Sequence, residues 1–285
     1  MLVIAGYLIV VVSVLGGYLL HGGVMALLWQ PSELIIIGGA AVGAFVTSGG
    51  AKVIGGVIKV LPTLLQDSPY NKDRYTQVLI LMHDIFVTTR REGVLALEQH
   101  IENPEKSELF RSAPSVSADH HAVEFITDYL RLVIGGNFDA MQLENLMDMD
   151  IASHHEEAEL PAAALKGMAD GLPAFGIVAA VMGVVVTMAS IDQPPAVLGG
   201  LIGAALVGTF LGVLLSYGFV GPLGNLTELR AKESTKFFEA IKVCLIASLN
   251  GYDPATAVEF GRKILYSADR PSFKELETQL KRKKG

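Results

Sequence analysis

Hydroxyl side chains recur at helical spacing within two of the most apolar stretches of this sequence. Thr187 and Ser190 lie three residues apart, and Thr209 and Ser216 lie seven apart, which is two turns along one face of an α-helix. Such hydroxyls can line a wet path or ligate a cation through oxygen. More commonly they donate back to a carbonyl of the preceding turn. The spacing alone leaves both uses open.

Titratable groups are missing from the depth of the same stretches. No Asp, Glu, Lys, Arg or His lies deep within an apolar stretch, whereas a proton relay or an ion-coupled pump normally needs such a group. If this chain moves ions, a partner must therefore supply the titrating acid. This pattern favours a channel subunit over a self-sufficient transporter.

Two prolines stand at the inner ends of the last two apolar stretches. Pro173 lies in the sequence LPAFG and Pro222 in GPLG. Proline has no backbone N–H and loosens the helix around it. Each proline is therefore either a kink at a helix end or a hinge that passes movement along the chain.

Other chemistry is poorly represented. The pairs His120-His121 and His154-His155 lack the helical spacing of a zinc site such as HExxH. Cys244 is the single cysteine, which excludes a disulfide within one chain and a multi-cysteine metal site. The net charge of −7 without a basic stripe argues against nucleic acid. The sequence predicts neither an enzyme nor a bound cofactor.

The elements that must hold the hydroxyls and prolines are membrane helices. Only 18% of the 285 residues are charged and 51% are hydrophobic, whereas soluble domains average roughly 25% charged residues. Charge is absent from four long stretches, and a helix needs about 20 apolar residues to cross a bilayer. We therefore predict membrane spans over about residues 2–20, 34–51, 171–191 and 198–220.

Basic residues set the orientation of these spans. All 22 Lys and Arg residues lie in residues 52–170 and 228–285, and none lies in the two short loops between paired spans. The positive-inside rule therefore places both polar segments and both termini in the cytoplasm. The first segment has 10 basic and 19 acidic residues and the second has 12 and 8, so we expect the two segments to pack on one another.

The polar segments also read as helices, which makes the predicted fold an all-α polytopic membrane protein with four transmembrane helices and a mainly helical cytoplasmic domain. Periodicity predicts one long helix over 75–101 and others over about 119–134, 139–165 and 228–249. Asp253-Pro254 and the capping box of Ser272 with Glu275 begin two more.

We expect four parts along the chain. They are residues 1–51 with the first two spans, 52–170 as the cytoplasmic helical domain, 171–222 with the last two spans on the ion-path side, and 223–285 as the C-terminal cytoplasmic helices.

Small residues mark where membrane helices approach closely. GxxxG pairs occur at Gly39 and Gly43, Gly199 and Gly203, and Gly208 and Gly212. They serve either packing within one four-helix unit or packing of several copies around a central element, and periodicity does not separate the two.

These stretches resemble the MotA family of flagellar stator proteins. Residues 172–183 (LPAFGIVAAVMG) are similar to the third span of that family, and 208–212 (GTFLG) with Tyr217-Gly218 and Pro222 to its fourth. Cytoplasmic matches follow the same order: IENP at 101–104, DYLRL at 128–132, LNGY at 249–252, EFGRK at 259–263 and RPSF at 270–273. The resemblance covers nearly the whole chain. Channel subunits of the TolQ and ExbB type typically have three spans, so four spans favour MotA.

The resemblance implies a function and partners. MotA-like proteins form a ring of five copies around two copies of MotB, whose single span carries the ion-accepting aspartate and whose periplasmic domain grips peptidoglycan. Ion flow turns the ring, which turns the rotor through the rotor protein FliG. The chain is thereby expected to be a multi-pass subunit of the bacterial inner membrane. The alternatives are a TolQ/ExbB-like subunit that energises an outer-membrane process, or a sodium-driven stator.

The resemblance also implies roles for particular residues. Arg90 and Glu98 match the charged pair that contacts FliG, and Asp150 stands where the family often has Glu. Pro173 and Pro222 match its two functional prolines. The residues expected along the ion path are Ala180, Thr187, Thr209 and Ser216. Sodium-driven relatives carry Thr in place of Ala180, and sodium prefers oxygen ligands, so we expect protons to be the coupling ion.

Overall fold

The computed structural model describes residues 2–282, and within them it contains helices and no strands. The α-helices are α1 Leu2–Leu20, α2 Met25–Leu28, α3 Pro31–Leu64, α4 Lys72–Glu92, α5 Glu98–Glu102, α6 Glu108–Arg111, α7 Pro114–Ser117, α8 His120–Gly135, α9 Ala140–Met188, α10 Pro195–Val213, α11 Gly221–Leu249, α12 Pro254–Ile264 and α13 Phe273–Arg282. A 3₁₀ turn covers Val94–Leu97, and a π-helical segment, Leu214–Val220, joins α10 to α11. The predicted all-α fold is confirmed.

Four helical stretches of the described chain are long and apolar enough to cross a membrane. They are Leu2–Leu20, Met25–Leu64, Ala140–Met188 and Pro195–Leu249. Each overlaps one predicted span, so the predicted number of spans is confirmed, although the third stretch ends at Met188, before the predicted end at residue 191.

The chain folds as two compact units, and the first comprises residues 2–67 and 158–230. Its buried apolar cluster is small and consists of Ile37, Ala41, Leu172 and Ala179. The helix α1 has no buried residue, and it is held at Tyr7, whose hydroxyl donates to the carbonyl of Phe219 at 3.0 Å. Most apolar side chains of this unit face outward, as expected where lipid or further subunits provide the surroundings.

A glycine interrupts α3 where the second predicted span ends. Gly50 has φ 63° and ψ 169°, which is not helical. A side chain is strained at such a φ, whereas glycine is not. The apolar part of α3 therefore ends at a residue that can change the direction of the chain.

The second unit comprises residues 68–157 and 231–282. Its core contains fully buried side chains from both polar segments, including Tyr75, Phe110 and Phe237. Ion pairs also join the two segments, with 2.7 Å between Lys72 Nζ and Glu275 Oε1. The expectation that the segments pack on one another is confirmed within this unit.

Capping residues begin three helices of the second unit, and the caps of α12 and α13 are those that the sequence predicts. The carboxylate of Asp119 accepts hydrogen bonds from the backbone at the start of α8, and Asp253 does the same for α12. At α13 the Ser272 N–H donates to Glu275 Oε2 at 2.7 Å, and the Glu275 N–H donates to Ser272 Oγ at 3.2 Å. Gly136 ends α8 with φ 65°. These hydrogen bonds satisfy backbone groups that the helix itself leaves unpaired.

The predicted single helix over 75–101 is wrong. The helix α4 ends at Glu92, and Gly93 follows with φ 88° and ψ 162°. A 3₁₀ turn and the short α5 then complete the segment. The periodicity correctly predicts the buried face of α4, because Val78, Leu81 and Ile85 are buried. The positive φ of Gly93 then ends the helix about two turns before the predicted end at residue 101.

Candidate functional site

The third and fourth spans touch backbone to backbone at glycine residues. A Cβ built on Gly176 would lie 2.8 Å from the carbonyl oxygen of Gly208, and one built on Gly212 would lie 2.7 Å from that of Leu172. Ordinary contacts of a Cβ are 3.4–4 Å, so these positions have no room for a side chain. Small residues here serve packing of α9 against α10 within one chain.

Two other glycine pairs have no such use within the chain. A Cβ built on Gly39, Gly43, Gly199 or Gly203 would meet no described atom within 4 Å. Of the two alternatives left open by the glycine pattern, packing within one chain therefore applies to Gly208 and Gly212. The pairs without a neighbour are available for contacts with another chain.

The hydroxyls of the predicted ion path divide into different environments. Thr187 is 1% exposed, and its hydroxyl donates to the carbonyl of Gly183 at 2.9 Å. Thr187 therefore makes the hydrogen bond to the preceding helical turn that is common for such hydroxyls. Ser216 is also 1% exposed, but its hydroxyl has no hydrogen-bond partner among the described residues. Thr209 is half-buried.

Ala180 and Thr209 belong to the level at which the two spans touch. The backbone N of Ala180 lies 3.0 Å from a Cβ built on Gly208, the neighbour of Thr209. Ala180 is half-buried. The structure therefore brings these two predicted path residues onto helices that are in contact at the same depth.

A titratable group also lies among these helices, although the sequence predicted none. Glu33 was placed just outside the second span, but it lies in the first turn of α3 and is only 7% exposed. It shares the buried face of that helix with Ile37 and Ala41 at four-residue spacing. A span defined by the absence of charge excludes Glu33, because the carboxylate of Glu33 itself ends the charge-free stretch. The four-residue spacing of Glu33, Ile37 and Ala41 is the sequence pattern that indicates a shared buried face.

Neither Pro173 nor Pro222 stands at a helix end. Pro173 lies inside α9, which continues to Met188. Pro222 lies at the second position of α11, and the chain is already helical before it. A kink at a helix end is therefore the wrong description of both. Proline interrupts the hydrogen bonding of a helix that continues on both sides.

The π-helical segment before Pro222 has a physical cause. The Gly221 N–H donates to the carbonyl of Ser216, five residues back, as in a π-helix. In a regular α-helix, proline at 222 would offer no N–H to the carbonyl of Gly218 and its ring would crowd that carbonyl. The wider π turn accommodates this loss within the fourth span.

The residues matched to the rotor-facing pair belong to different elements. Arg90 is exposed in the last turn of α4, and Glu98 is exposed at the start of α5. Gly93 and the 3₁₀ turn separate them. The structure therefore places both charges on the surface of the second unit, but not on one continuous helix face.

Asp150 lies beside a tyrosine at the edge of a cavity. Its Oδ2 accepts a hydrogen bond from the Tyr129 hydroxyl at 2.9 Å. Burial and this hydrogen bond raise the pKa of Tyr129, so the hydroxyl stays a donor. The cavity of about 560 Å³ is also lined by His121 and His154. Asp150 itself is exposed.

His154 is half-buried against an aromatic ring and carries a shifted pKa. The centroid of its ring lies 4.6 Å from the centroid of the Phe238 ring, and its Nε2 lies 2.9 Å from Ser234 Oγ. Burial and the neighbouring charge of His121 lower the pKa of His154. Among residues 2–282 no group of three or more His, Cys, Asp or Glu side chains could hold a metal ion.

The fold and this site define a class: an all-helical polytopic membrane protein whose last two spans pack closely on glycine. Two family models match the chain, Motility protein A N-terminal over residues 4–93 and the MotA/TolQ/ExbB proton channel family over residues 117–240. The chain is 50% identical over 281 residues to Motility protein A of Salmonella typhimurium, with 99% of this chain and 95% of that protein covered. The chain belongs to the motility protein A family.

Other relatives agree with this assignment. Motility protein A of Escherichia coli is 49% identical over 281 residues, with 99% of this chain and 95% of that protein covered. The Chemotaxis protein LafT of Vibrio parahaemolyticus is 35% identical over 280 residues, with 98% of each chain covered. The resemblance inferred from the sequence is confirmed.

Solved structures share the fold. The structure of Campylobacter jejuni MotAB, titled "Structure of C. jejuni MotAB", matches with a TM-score of 0.79 and 20% identity, covering 95% of this chain and 98% of that chain. The flagellar MotAB stator complex from Bacillus subtilis matches with a TM-score of 0.75 and 24% identity, covering 96% and 98%.

Proposed function

We propose that this chain is the membrane subunit of a flagellar stator, which converts ion flow into torque on the rotor. The observation that carries the proposal is the 50% identity with a Motility protein A along 99% of the chain. The function needs an ion path through the membrane and a part that acts on the rotor. Four helices able to span a membrane fit the first need, and the large polar unit fits the second.

The partner is a MotB-like protein with one membrane span and a peptidoglycan-binding domain. It supplies the ion-accepting aspartate, and five copies of this chain surround two copies of it in the inner membrane. The glycine pairs without a neighbour within the chain support assembly with further helices. Co-purification with the candidate partner and imaging of the complex test the count, and a monomer that binds no partner would contradict the assembly.

The ion path runs along the third and fourth spans, past Ala180, Thr187, Thr209 and Ser216. Protons are the coupling ion, because Ala180 offers no oxygen where a sodium site needs one. The test is swimming speed as sodium is removed or the proton gradient collapsed. Motility that needs sodium and survives collapse of the proton gradient would refute proton coupling.

Pro173 and Pro222 couple ion passage to movement of the polar unit. Support comes from their position inside continuous helices, where lost hydrogen bonds make bending easier. We expect Pro173→Ala and Pro222→Ala to stop rotation while the protein remains in the membrane at its normal level. Torque is measured on tethered cells. Unchanged torque in both variants would contradict the coupling role of the two prolines.

Arg90, Glu98 and Asp150 face the rotor protein FliG. Their exposure leaves the charges available to a partner. Charge reversal of Arg90 or Glu98 is expected to lower torque, and the opposite reversal on the rotor to restore it. Exposed Glu92, on the same surface but without an assigned role, is the matched control for loss of one charge. Unchanged torque in every reversal would count against direct contact.

Both termini and both polar segments lie in the cytoplasm. The distribution of all 22 basic residues supports this orientation. Cysteine labelling of a chain carrying Asp192→Cys or Ser272→Cys, in a Cys244→Ala background, tests it in intact cells. Only the first variant should react with an impermeant reagent; reaction of the second would overturn the topology.

A further inference from the structure

Glu33 occupies a position in the bundle that its place in the sequence conceals. Its Oε2 lies 2.7 Å from the point where a Cβ would be built on Gly208. The fourth span starts at Pro195, thirteen residues before Gly208, which at a rise of 1.5 Å per residue is about 20 Å. Val220 is about 18 Å away in the other direction. The carboxyl therefore lies at the middle of the fourth span.

The other atoms close to this point belong to two alanines of the third span. The same point beside Gly208 lies 3.1 Å from the Ala179 Cβ and 3.0 Å from the Ala180 backbone N. Neither the facing residues of the third span nor Gly208 on the fourth is titratable or charged. Within the described chain Glu33 Oε2 has no hydrogen-bond partner, and the residue is 7% exposed.

A carboxyl in this state has a functional explanation. An unpaired carboxylate is expensive to hold at membrane depth, so intramembrane acids mark ion pathways and proton relays. The absence of a side chain at Gly208 leaves the space that Oε2 fills. A helix-start acid that served only the helix dipole would need no burial, because exposed acids in a first turn already stabilise a helix.

We propose that Glu33 is a proton-binding site in the ion path, taking up a proton on its carboxylate and releasing the same proton toward the next acceptor. This inference rests on the proposed function. No covalent bond to carbon changes, and the charge of the carboxyl alternates between zero and minus one. The chain then contributes an acid of its own in addition to the acid of its partner.

The experiment compares the complex of the full chain and its one-span partner in vesicles, as wild type, Glu33→Gln and Glu33→Asp. Infrared difference spectra recorded across a pH titration detect the carbonyl band of a protonated carboxylic acid. A pH-sensitive dye inside the vesicles measures proton flux under an imposed gradient. Asp192→Asn removes an exposed acid from the outer loop between the third and fourth spans and is the matched control.

We expect a titrating carbonyl band that is lost in Glu33→Gln and kept in Glu33→Asp and Asp192→Asn. Flux should fall in Glu33→Gln by on the order of 100-fold, the lower range for loss of a positioned proton-transfer group. Size-exclusion chromatography verifies that each variant still assembles. Glu33→Asp should conduct more than Glu33→Gln, since it retains an acid.

Two results would overturn the proposal. One is a difference spectrum with no band that depends on Glu33. The other is unchanged flux in Glu33→Gln, because any proton bound there would then not be in transit. A wild-type complex that passes no protons refutes the proposed function instead, and the infrared band then still decides whether Glu33 binds protons.

Discussion

Replacement of Gly212 by alanine tests the close contact between the third and fourth spans. The added Cβ would lie 2.7 Å from the Leu172 carbonyl oxygen and 2.8 Å from the Gly176 Cα. Both are backbone atoms, so no side chain can rotate away. To reach 3.4 Å, the two helices must separate by about 0.7 Å. That separation loosens every contact along the pair.

The magnitude follows from two opposing terms. Overpacking of a tight contact costs about 1–3 kcal/mol. Alanine is a better helix former than glycine by up to about 1 kcal/mol. The second term is shared by Gly200→Ala, where the new Cβ meets no described atom within 4 Å. The difference in unfolding free energy between the two variants therefore isolates the steric cost of about 1–3 kcal/mol.

The assay is reversible unfolding of the purified chain in mixed micelles with increasing sodium dodecyl sulfate. The single tryptophan, Trp29, lies in the first unit and reports its unfolding by fluorescence. Gly212→Ala should unfold at a lower detergent fraction than wild type, and Gly200→Ala at an equal or higher one. Equal midpoints for the two variants would refute the backbone contact as the reason for glycine at 212.

Three further predictions concern the second unit. Asp253→Ala removes the N-cap of α12 and should cost about 1 kcal/mol in denaturant unfolding, with Asp253→Asn costing less; equal losses would contradict the capping role. Gly136→Ala forces a side chain into φ 65° and should lower the free energy of unfolding by about 1–2 kcal/mol. Gly136→Asn should lower it by less, and an unchanged free energy of unfolding in Gly136→Ala would contradict the prediction. Because burial and His121 hold the pKa of His154 below 6.5, its charged form is disfavoured in the folded state, so stability should be level above pH 6.5 and fall as the pH drops below it. His154→Gln should flatten that slope in thermal melts, and an unchanged slope would exclude His154 as its origin.

The sequence was informative wherever one physical term dominates. The absence of charge over about 20 residues identifies a membrane helix, because burying charge in lipid is costly. The predicted capping residues were equally reliable, since Asp253 and Ser272 satisfy backbone donors within three residues. Both signals are local, and neither depends on how the rest of the chain packs.

Two predictions were wrong because they depended on more than local pattern. Apolar periodicity continues across Gly93, and only its backbone conformation shows that α4 ends before Glu98. The sequence prediction places Glu33 in a loop, because a charged residue ends a predicted span. Its burial depends on Gly208, about 175 residues later in the chain, which no window along the sequence could connect with it.

The roles of individual site residues remain predictions of the family resemblance. The structure places Arg90, Glu98 and Asp150 on the surface and gives the Thr187 hydroxyl a partner in its own helix. Exposure and hydrogen bonding are properties of one chain. Contact with a rotor or with an ion is a property of the assembly, so sequence and a single chain cannot derive it.

The unused glycine pairs have a consequence for symmetry. Gly39 and Gly43 lie on α3, whereas Gly199 and Gly203 lie on α10. Two-fold related contacts use the same patch on both copies and join them in pairs, whereas head-to-tail contacts use two different patches and can close a ring of any number. Glycine pairs on two separate helices offer two different patches, as a head-to-tail contact requires, and in a ring built on them the angle between the patches would fix how many copies close it.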